Sequence, residues 1–188
     1  MRHVITPLIP VCLMTTIFFA GRTQGLGESN AADDKPAEIK LQTLSWEETQ
    51  KLIASKKGKI VVVDAWSTSC VPCIKEFPNL VALHQSHAAD VACVSLNLDY
   101  IGLKSKPPEF YRERVTKFLT KHKATFDNVL CSEEIEAVCE KLGVPSIPAV
   151  LVYDRTGKLV KTFDNSEVEN EDEGFTYKEV IEFIESLK

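Results

Sequence analysis

Three patterns in the sequence predict an α/β fold with a central mixed sheet flanked by helices. Strand-like and helix-like segments alternate along most of the chain, which argues for helices packed on the faces of a sheet. Two runs, IVVVDA (60–65) and VACVSLNL (91–98), are almost continuously apolar, as strands buried on both faces of a parallel sheet are. Finally, AVLVYD (149–154), the turn RTGK and LVKTFD (159–164) read as a hairpin, whose antiparallel strands make the sheet mixed.

The elements follow in order. IKLQTL (39–44) is a first strand. Ser45 with Glu48 three residues on is a capping box, which starts a helix reaching about Ser55. KKGK turns the chain into IVVVDA. A helix runs from Val71 to His87, and VACVSLNL follows it. YIGLKSKPP is a loop. EFYRERVTKFLTKH (109–122) is an amphipathic helix with Val115, Phe118 and Leu119 on one side, and FDNVLC (126–131) is a short strand. SEEIEAVCEKLG (132–143) has an acidic start and a glycine just past its end, so it reads as a helix over its whole length. After the hairpin, YKEVIEFIESL (177–187) closes the chain as a helix with Val180, Ile181 and Ile184 facing in.

The ends differ in character. Arg2 and His3 precede the apolar run VITPLIPVCLMTTIFFAG, and small residues follow at Gly21, Gly25 and Gly27. Residues 1–27 therefore read as a secretory signal, cut after Gly25 or Gly27, or as an uncleaved anchor that tethers the chain to a membrane through residues 4–20. Pro7 and Pro10 argue against a helix of the folded core. Residues 28–37 are polar, contain a proline and form a flexible linker, which leaves 38–188 as the folded domain. The acidic run SEVENEDEG (166–174) reads as a solvated loop.

Hydrophobic content of 44% and charge of 26% are those of a soluble globular protein. A net charge of −5 argues against nonspecific nucleic-acid binding, which needs a basic surface. Removing Arg2 and Arg22 with the leader moves that charge from −5 to −7. Export would also let disulfides persist. Without Cys12, five cysteines remain (Cys70, Cys73, Cys93, Cys131 and Cys139), so at least one is unpaired within the chain. Cys93 sits mid-strand and reads as a buried small hydrophobe. Cys131 and Cys139 could pair if Cys131 folds over the start of the next helix. On one continuous helix they would stand about 12 Å apart, too far for a bond.

DAWSTSCVPC (64–73) carries the chemistry. A structural zinc would need four ligands, commonly two close pairs, and only one Cys-x-x-Cys is present. As a staple, a ring with two intervening residues removes little chain entropy. Electron exchange suits the context best. Cys70 and Cys73 fall where a strand gives way to a helix, and a thiolate at a helix N-terminus faces partial positive charge and unpaired N–H groups. Cys70, at or before the first turn, is the expected nucleophile, and Cys73, one turn inward, the resolving thiol. Pro72 sits where a helix tolerates it.

With these residues in place, the chain over about 38–187 resembles the thioredoxin fold, and within it the exported TlpA/ResA-type reductases. Asp64 lies six residues before Cys70, Trp66 four before it, Pro78 five after Cys73, and Ile147-Pro148 opens the strand AVLVYD. Residues 109–131 match the extra helix–strand insertion of the exported branch, and EKLGVPSIPAVLVYDRTGKLV follows its pattern. The resemblance implies a Cys70–Cys73 redox disulfide. It implies that Asp64 sits beneath Cys73 and handles its proton, and that Pro78 kinks the active-site helix. It also implies a cis Pro148, which shapes a substrate groove where the Ile147 backbone pairs with an extended substrate segment. Trp66 and Pro72 join Ile147 and Pro148 around the substrate, Trp66 mainly by packing. The alternative for Asp64 is a strand-end residue bonded to backbone. A protein disulfide as substrate, an upstream thiol reductant, no cofactor, no metal and a monomer outside the cytosol, periplasmic or membrane-anchored, complete what the resemblance implies.

The chain also departs from the family. Ser69 stands where many thioredoxins have tryptophan, Val71-Pro72 replaces Gly-Pro, and Ala149 replaces a threonine. DNSEVENEDEG stands where a glycine usually follows the last strand. Two other readings compete. A peroxiredoxin-like peroxidase needs a proline seven residues and a threonine or serine three residues before its cysteine. Here those positions hold Val63 and Ser67, so only the second fits. A non-enzymatic thioredoxin-like binding module or metallochaperone is the third reading, which metal analysis of the reduced protein separates from the others.

Overall fold

The computed structural model describes residue 1, residues 39–166 and residues 174–187. The leader and linker expected over 1–37, and most of the acidic run 166–174, lie outside the described residues. The elements are β1 (Leu41–Leu44), α1 (Trp46–Ala54), β2 (Ile60–Trp66), α2 (Val71–His87), β3 (Val91–Asn97), α3 (Pro108–His122), β4 (Asp127–Cys131), α4 (Ile135–Leu142), β5 (Ala149–Tyr153), β6 (Leu159–Phe163) and α5 (Tyr177–Ser186).

Six strands form one sheet in the order β1-β4-β3-β2-β5-β6. The first four run parallel, β5 is antiparallel to β2, and β6 is antiparallel to β5. The fold is thus α/β with a mixed sheet, as the alternation and the hairpin predict. The segment 109–131 supplies α3 and the sheet strand β4, which lies between β1 and β3.

Successive side chains of a strand point to opposite faces. In β2, all seven residues are buried. Ile60, Val62 and Trp66 pack with α2, α3 and α5 through Phe77, Leu80, Val115, Leu119, Val180 and Ile184. Val61, Val63 and Ala65 pack on the other face with α1 and α4 through Ile53, Val138 and Leu142. This period of two assigns Asp64 to the face of α2, α3 and α5. On that face Trp66 packs against Phe77 and Phe118, with ring centroids 4.8 and 4.7 Å away.

The capping box at Ser45–Glu48 is present, and α1 ends at Ala54. α4 starts at Ile135, three residues later than its acidic sequence predicts. The Ser132 N–H still donates to Leu44 O across the sheet edge (2.9 Å), and the Ile135 N–H donates to Tyr100 O (2.9 Å). Between them, the Glu133 carboxylate accepts from the Trp46 N–H at the head of α1 (2.8 Å). Tertiary partners thus claim the backbone and acidic groups that would otherwise begin the helix. Gly143 closes α4 in the left-handed region (φ 70°), a conformation that costs glycine little.

Phe77 is fully buried at the centre of the aromatic cluster. Phe77→Ala should lower the unfolding free energy by about 3–5 kcal/mol, the usual cost of emptying such a site. Denaturant titration of the oxidised protein measures this, and a loss under about 1 kcal/mol would mean that the cluster is not a packed core.

Candidate active site

The cysteine pair sits where β2 hands over to α2. Cys70 is the N-cap residue of α2, in extended conformation, and Val71 and Pro72 open the helix. Cys70 and Cys73 form a disulfide. The Cys73 N–H points at Cys70 Sγ (3.3 Å), so an unpaired donor of the first helical turn is already directed at this sulfur. When the bond is reduced, the same donor and the positive end of the helix favour a thiolate on Cys70. Cys70 is half-buried, whereas Cys73 is 3% exposed. That asymmetry separates an accessible sulfur from a sheltered one.

Asp99, just past the end of β3, organises the segment before Cys70. Its carboxylate accepts from Ser67 Oγ, the Thr68 N–H and Thr68 Oγ1, each at 2.7 Å, and from Arg114 Nε of α3 at 2.9 Å. Ser67 Oγ in turn accepts from the Ser69 N–H (3.2 Å). Burial alone would raise the pKa of Asp99, but the Thr68 and Ser67 donors and Arg114 outweigh it and hold the carboxyl below its usual range. The clamp links α3, part of the inserted segment, to the loop carrying the cysteines. Sequence reasoning missed Asp99. The available signal was an acidic residue at the carboxyl end of a strand beside β2, where α/β sites gather.

Asp64 is buried on the face that packs against α2 and α5. It is not bonded to backbone, the alternative weighed for it. Its Oδ2 accepts a hydrogen bond from the hydroxyl of Tyr177, the first residue of α5. Burial raises its pKa, the Tyr177 bond opposes that rise, and the negative field of Glu76 adds to it, leaving the group at about 7. A carboxyl of this kind can take up or release a proton near neutral pH. Tyr177 was also missed. The available signal was that a buried tyrosine hydroxyl and a buried strand carboxylate each require a partner.

The remaining expected site residues are distributed as follows. The Ile147–Pro148 peptide bond is cis. Pro148 is buried, and Ile147 and Pro72 are half-buried. Ile147 lines a hollow of about 460 Å³ together with Ile135, Cys139, Val144 and Pro145. Trp66 is fully buried, so it packs behind the cysteine pair and offers no surface to a substrate. Pro78 lies inside α2. Cys93, Cys131 and Cys139 are free, buried thiols, so the Cys131–Cys139 bridge is not formed. Cys131 ends β4, and burial pushes its thiol up to about 11. Among the described residues, no three His, Cys, Asp or Glu side chains gather to hold a metal ion, and no helix is long and apolar enough to cross a membrane.

A disulfide at the head of the helix that follows β2, on a sheet of this order in which β2 pairs with the strand that a cis proline precedes, defines a thioredoxin-like thiol–disulfide oxidoreductase. The chain belongs to the Redoxin family, whose model matches residues 31–180. It is 24% identical to the thiol-disulfide oxidoreductase ResA of Halalkalibacterium halodurans over 191 residues, which cover 100% of this chain and 94% of that one. It is 26% identical to the thioredoxin-like protein YneN of Bacillus subtilis over 141 residues, 75% of this chain and 74% of the other. The structure of a DsbF homologue from Corynebacterium diphtheriae shares the fold with a TM-score of 0.55 at 22% identity, over 72% of this chain and 76% of that chain.

The raised pKa of Asp64 carries a stability cost with a defined sign. At acid pH the group is protonated in both the folded and the unfolded chain. Between its ordinary value of 3.8 and about 7, the unfolded chain releases a proton that the folded one keeps, so stability falls as pH rises. Asp64→Asn removes this dependence and should make the protein more stable at pH 8 by about 1–3 kcal/mol, with little gain at pH 4. Denaturant unfolding at the two pH values measures it, and equal effects at both would show that Asp64 titrates normally.

Proposed function

We propose that the chain reduces protein disulfides outside the cytosol, with Cys70 as the attacking thiolate and Cys73 as the resolving thiol. The accessible Cys70 sulfur at the N-cap of α2, with Cys73 sheltered one turn inward, carries this reading. Cys70 thiolate attacks one sulfur of a substrate disulfide. That S–S bond breaks, a mixed disulfide forms, and the first substrate thiolate leaves and takes a proton from water. Cys73 then passes its proton to the Asp64 carboxylate and attacks the Cys70 sulfur. The second substrate thiolate leaves, and the Cys70–Cys73 disulfide closes. Two electrons have passed to the substrate, and an upstream dithiol returns them to the pair.

The substrate segment lies along the Ile147–Pro148 edge in this reading. The half-buried Ile147 backbone pairs with it as an added strand would, Pro72 flanks it, and the hollow beside Ile147 takes an apolar side chain. Residues 1–27 serve as an export leader cut after Gly25 or Gly27, with retention as a membrane anchor the outcome that the chain's mass would reveal. The domain acts as a monomer.

With dithiothreitol as electron source, the protein should reduce the disulfides of insulin, and Cys70→Ser should lower the rate at least about 100-fold. Cys73→Ser should accumulate mixed disulfides that release substrate on treatment with thiol. Equal activity in Cys70→Ser would sink the assignment, and a potential near −120 mV in place of one near or below about −270 mV would reverse the direction of electron flow. The intact mass of the protein recovered from outside the cytosol should correspond to a chain beginning at residue 26 or 28, and a full-length mass would favour the anchor.

A further inference from the structure

We propose that Tyr177 is a positioning residue of the redox site: its hydroxyl holds the Asp64 carboxylate on the α2 side of the sheet and so governs proton transfer from Cys73. The inference rests on the proton role proposed above for Asp64.

The geometry is built from two distant segments. Tyr177 is 2% and Asp64 4% exposed, and the hydrogen bond joins residues 113 positions apart. Tyr177 is held in place by its own helix start. The Thr176 N–H donates to Glu179 Oε2 (2.7 Å) in a capping box, which fixes the first turn of α5. The rest of the tyrosine ring belongs to the apolar cluster that also contains Cys73, Phe77 and Trp66. A carboxylate in such surroundings keeps its orientation only through a donor that is itself immobile, and Tyr177 is the one hydrogen-bond donor to the Asp64 side chain among the described residues.

The charged and titratable groups around Asp64 come from three packed elements. Glu76 of α2 adds negative charge. Cys93 of β3 is coupled to Asp64, with its thiol pushed up by burial and then by the carboxylate. From α5 comes Tyr177, whose ionisation is opposed by burial and by Asp64, so it stays a phenol and a donor. Across the sheet, the register partners of Asp64 are Ser95 and Val150. A cleft of about 440 Å³ is lined by Tyr177 with Glu76, Asn79, Lys178 and Glu182. The cleft thus lies between α2 and α5, beside the first turn of α5.

Because a hydrogen bond to the charged form favours it, loss of the hydroxyl should make the carboxylate harder to form. Cys73 would then meet a protonated Asp64 up to a higher pH, and the rising limb of its pH–rate profile would move upward.

The test follows the reduced full chain reacting with dithiobis(nitrobenzoate). Cys70 thiolate displaces the first thionitrobenzoate and forms a mixed disulfide. Cys73 thiolate displaces the second and closes the protein disulfide. The second release, scored against the first within each variant, is measured from about pH 5 to pH 9. Tyr177→Phe keeps the ring volume and should move the limb up by roughly one unit, a rate about tenfold lower below the limb. Asp64→Asn should abolish the limb, and adding Tyr177→Phe to it should change nothing more. A limb that stays in place in Tyr177→Phe but vanishes in Asp64→Asn overturns the role of Tyr177 and leaves that of Asp64 standing. A limb that survives Asp64→Asn overturns both. A fluorinated tyrosine at position 177, a stronger donor that preserves the fold, should move the limb down; no movement counts against the proposal even if Tyr177→Phe is unstable.

Discussion

The proposed chemistry depends on a carboxyl group placed inside the sheet. β2 is buried along its whole length, and six of its seven residues are apolar. The seventh, Asp64, falls by strand periodicity on the face that meets α2 and α5. Water is excluded there, so the group can be ionised only with local help. That help is a single phenol. Burial and hydrogen bonding act in opposite directions on Asp64, and their balance leaves it near neutrality. Asp99 shows the other outcome. It is also buried, but three donors from Ser67 and Thr68 and one from Arg114 surround it, and its charge is secure. Two buried aspartates, one within β2 and one just past the end of β3, thus differ in chemistry because among the described residues one has four donors and the other one.

The two carboxyls divide the labour. Asp99 holds the approach to Cys70 rigid, through the backbone and hydroxyls of residues 67 and 68, and ties it to α3. Asp64 is the group that takes up the Cys73 proton in the proposed reaction. The helix start at Cys70 contributes a third element, an N–H aimed at sulfur. Each arises from a different strand end or helix end, and the sheet brings them together at the carboxyl edge of β2 and β3.

Much of this could be read from the chain before folding. The cysteine pair, the strand before it and the bounds of α2 are local features, written in consecutive residues. The capping box at Ser45 and the hairpin after Ala149 are local as well. What escaped was long-range. The partner of Asp64 lies 113 positions away, and that of Thr68 lies 31 positions away. No local periodicity carries such information. The start of α4 was misplaced for the same reason. Residues 132–134 have a helical composition, but the Ser132 N–H is taken by Leu44 and the Glu133 carboxylate by Trp46. Ile181, expected to face in, and Phe118, expected on the apolar side of α3, are half-buried and pack against the core.

The free thiols impose an order of events. The folded domain contains five sulfurs, and only two lie where they can meet. Cys93, Cys131 and Cys139 are shielded by the core and, with their acidity suppressed by burial, are poor thiolates. In an extended chain none of that shielding exists, and any pair could be joined by an oxidant. Correct wiring is therefore a matter of timing: the core must close over three sulfurs before oxidation reaches them. The protein's own packing serves as the selection device that leaves one electron-carrying pair and keeps the other cysteines out of the circuit.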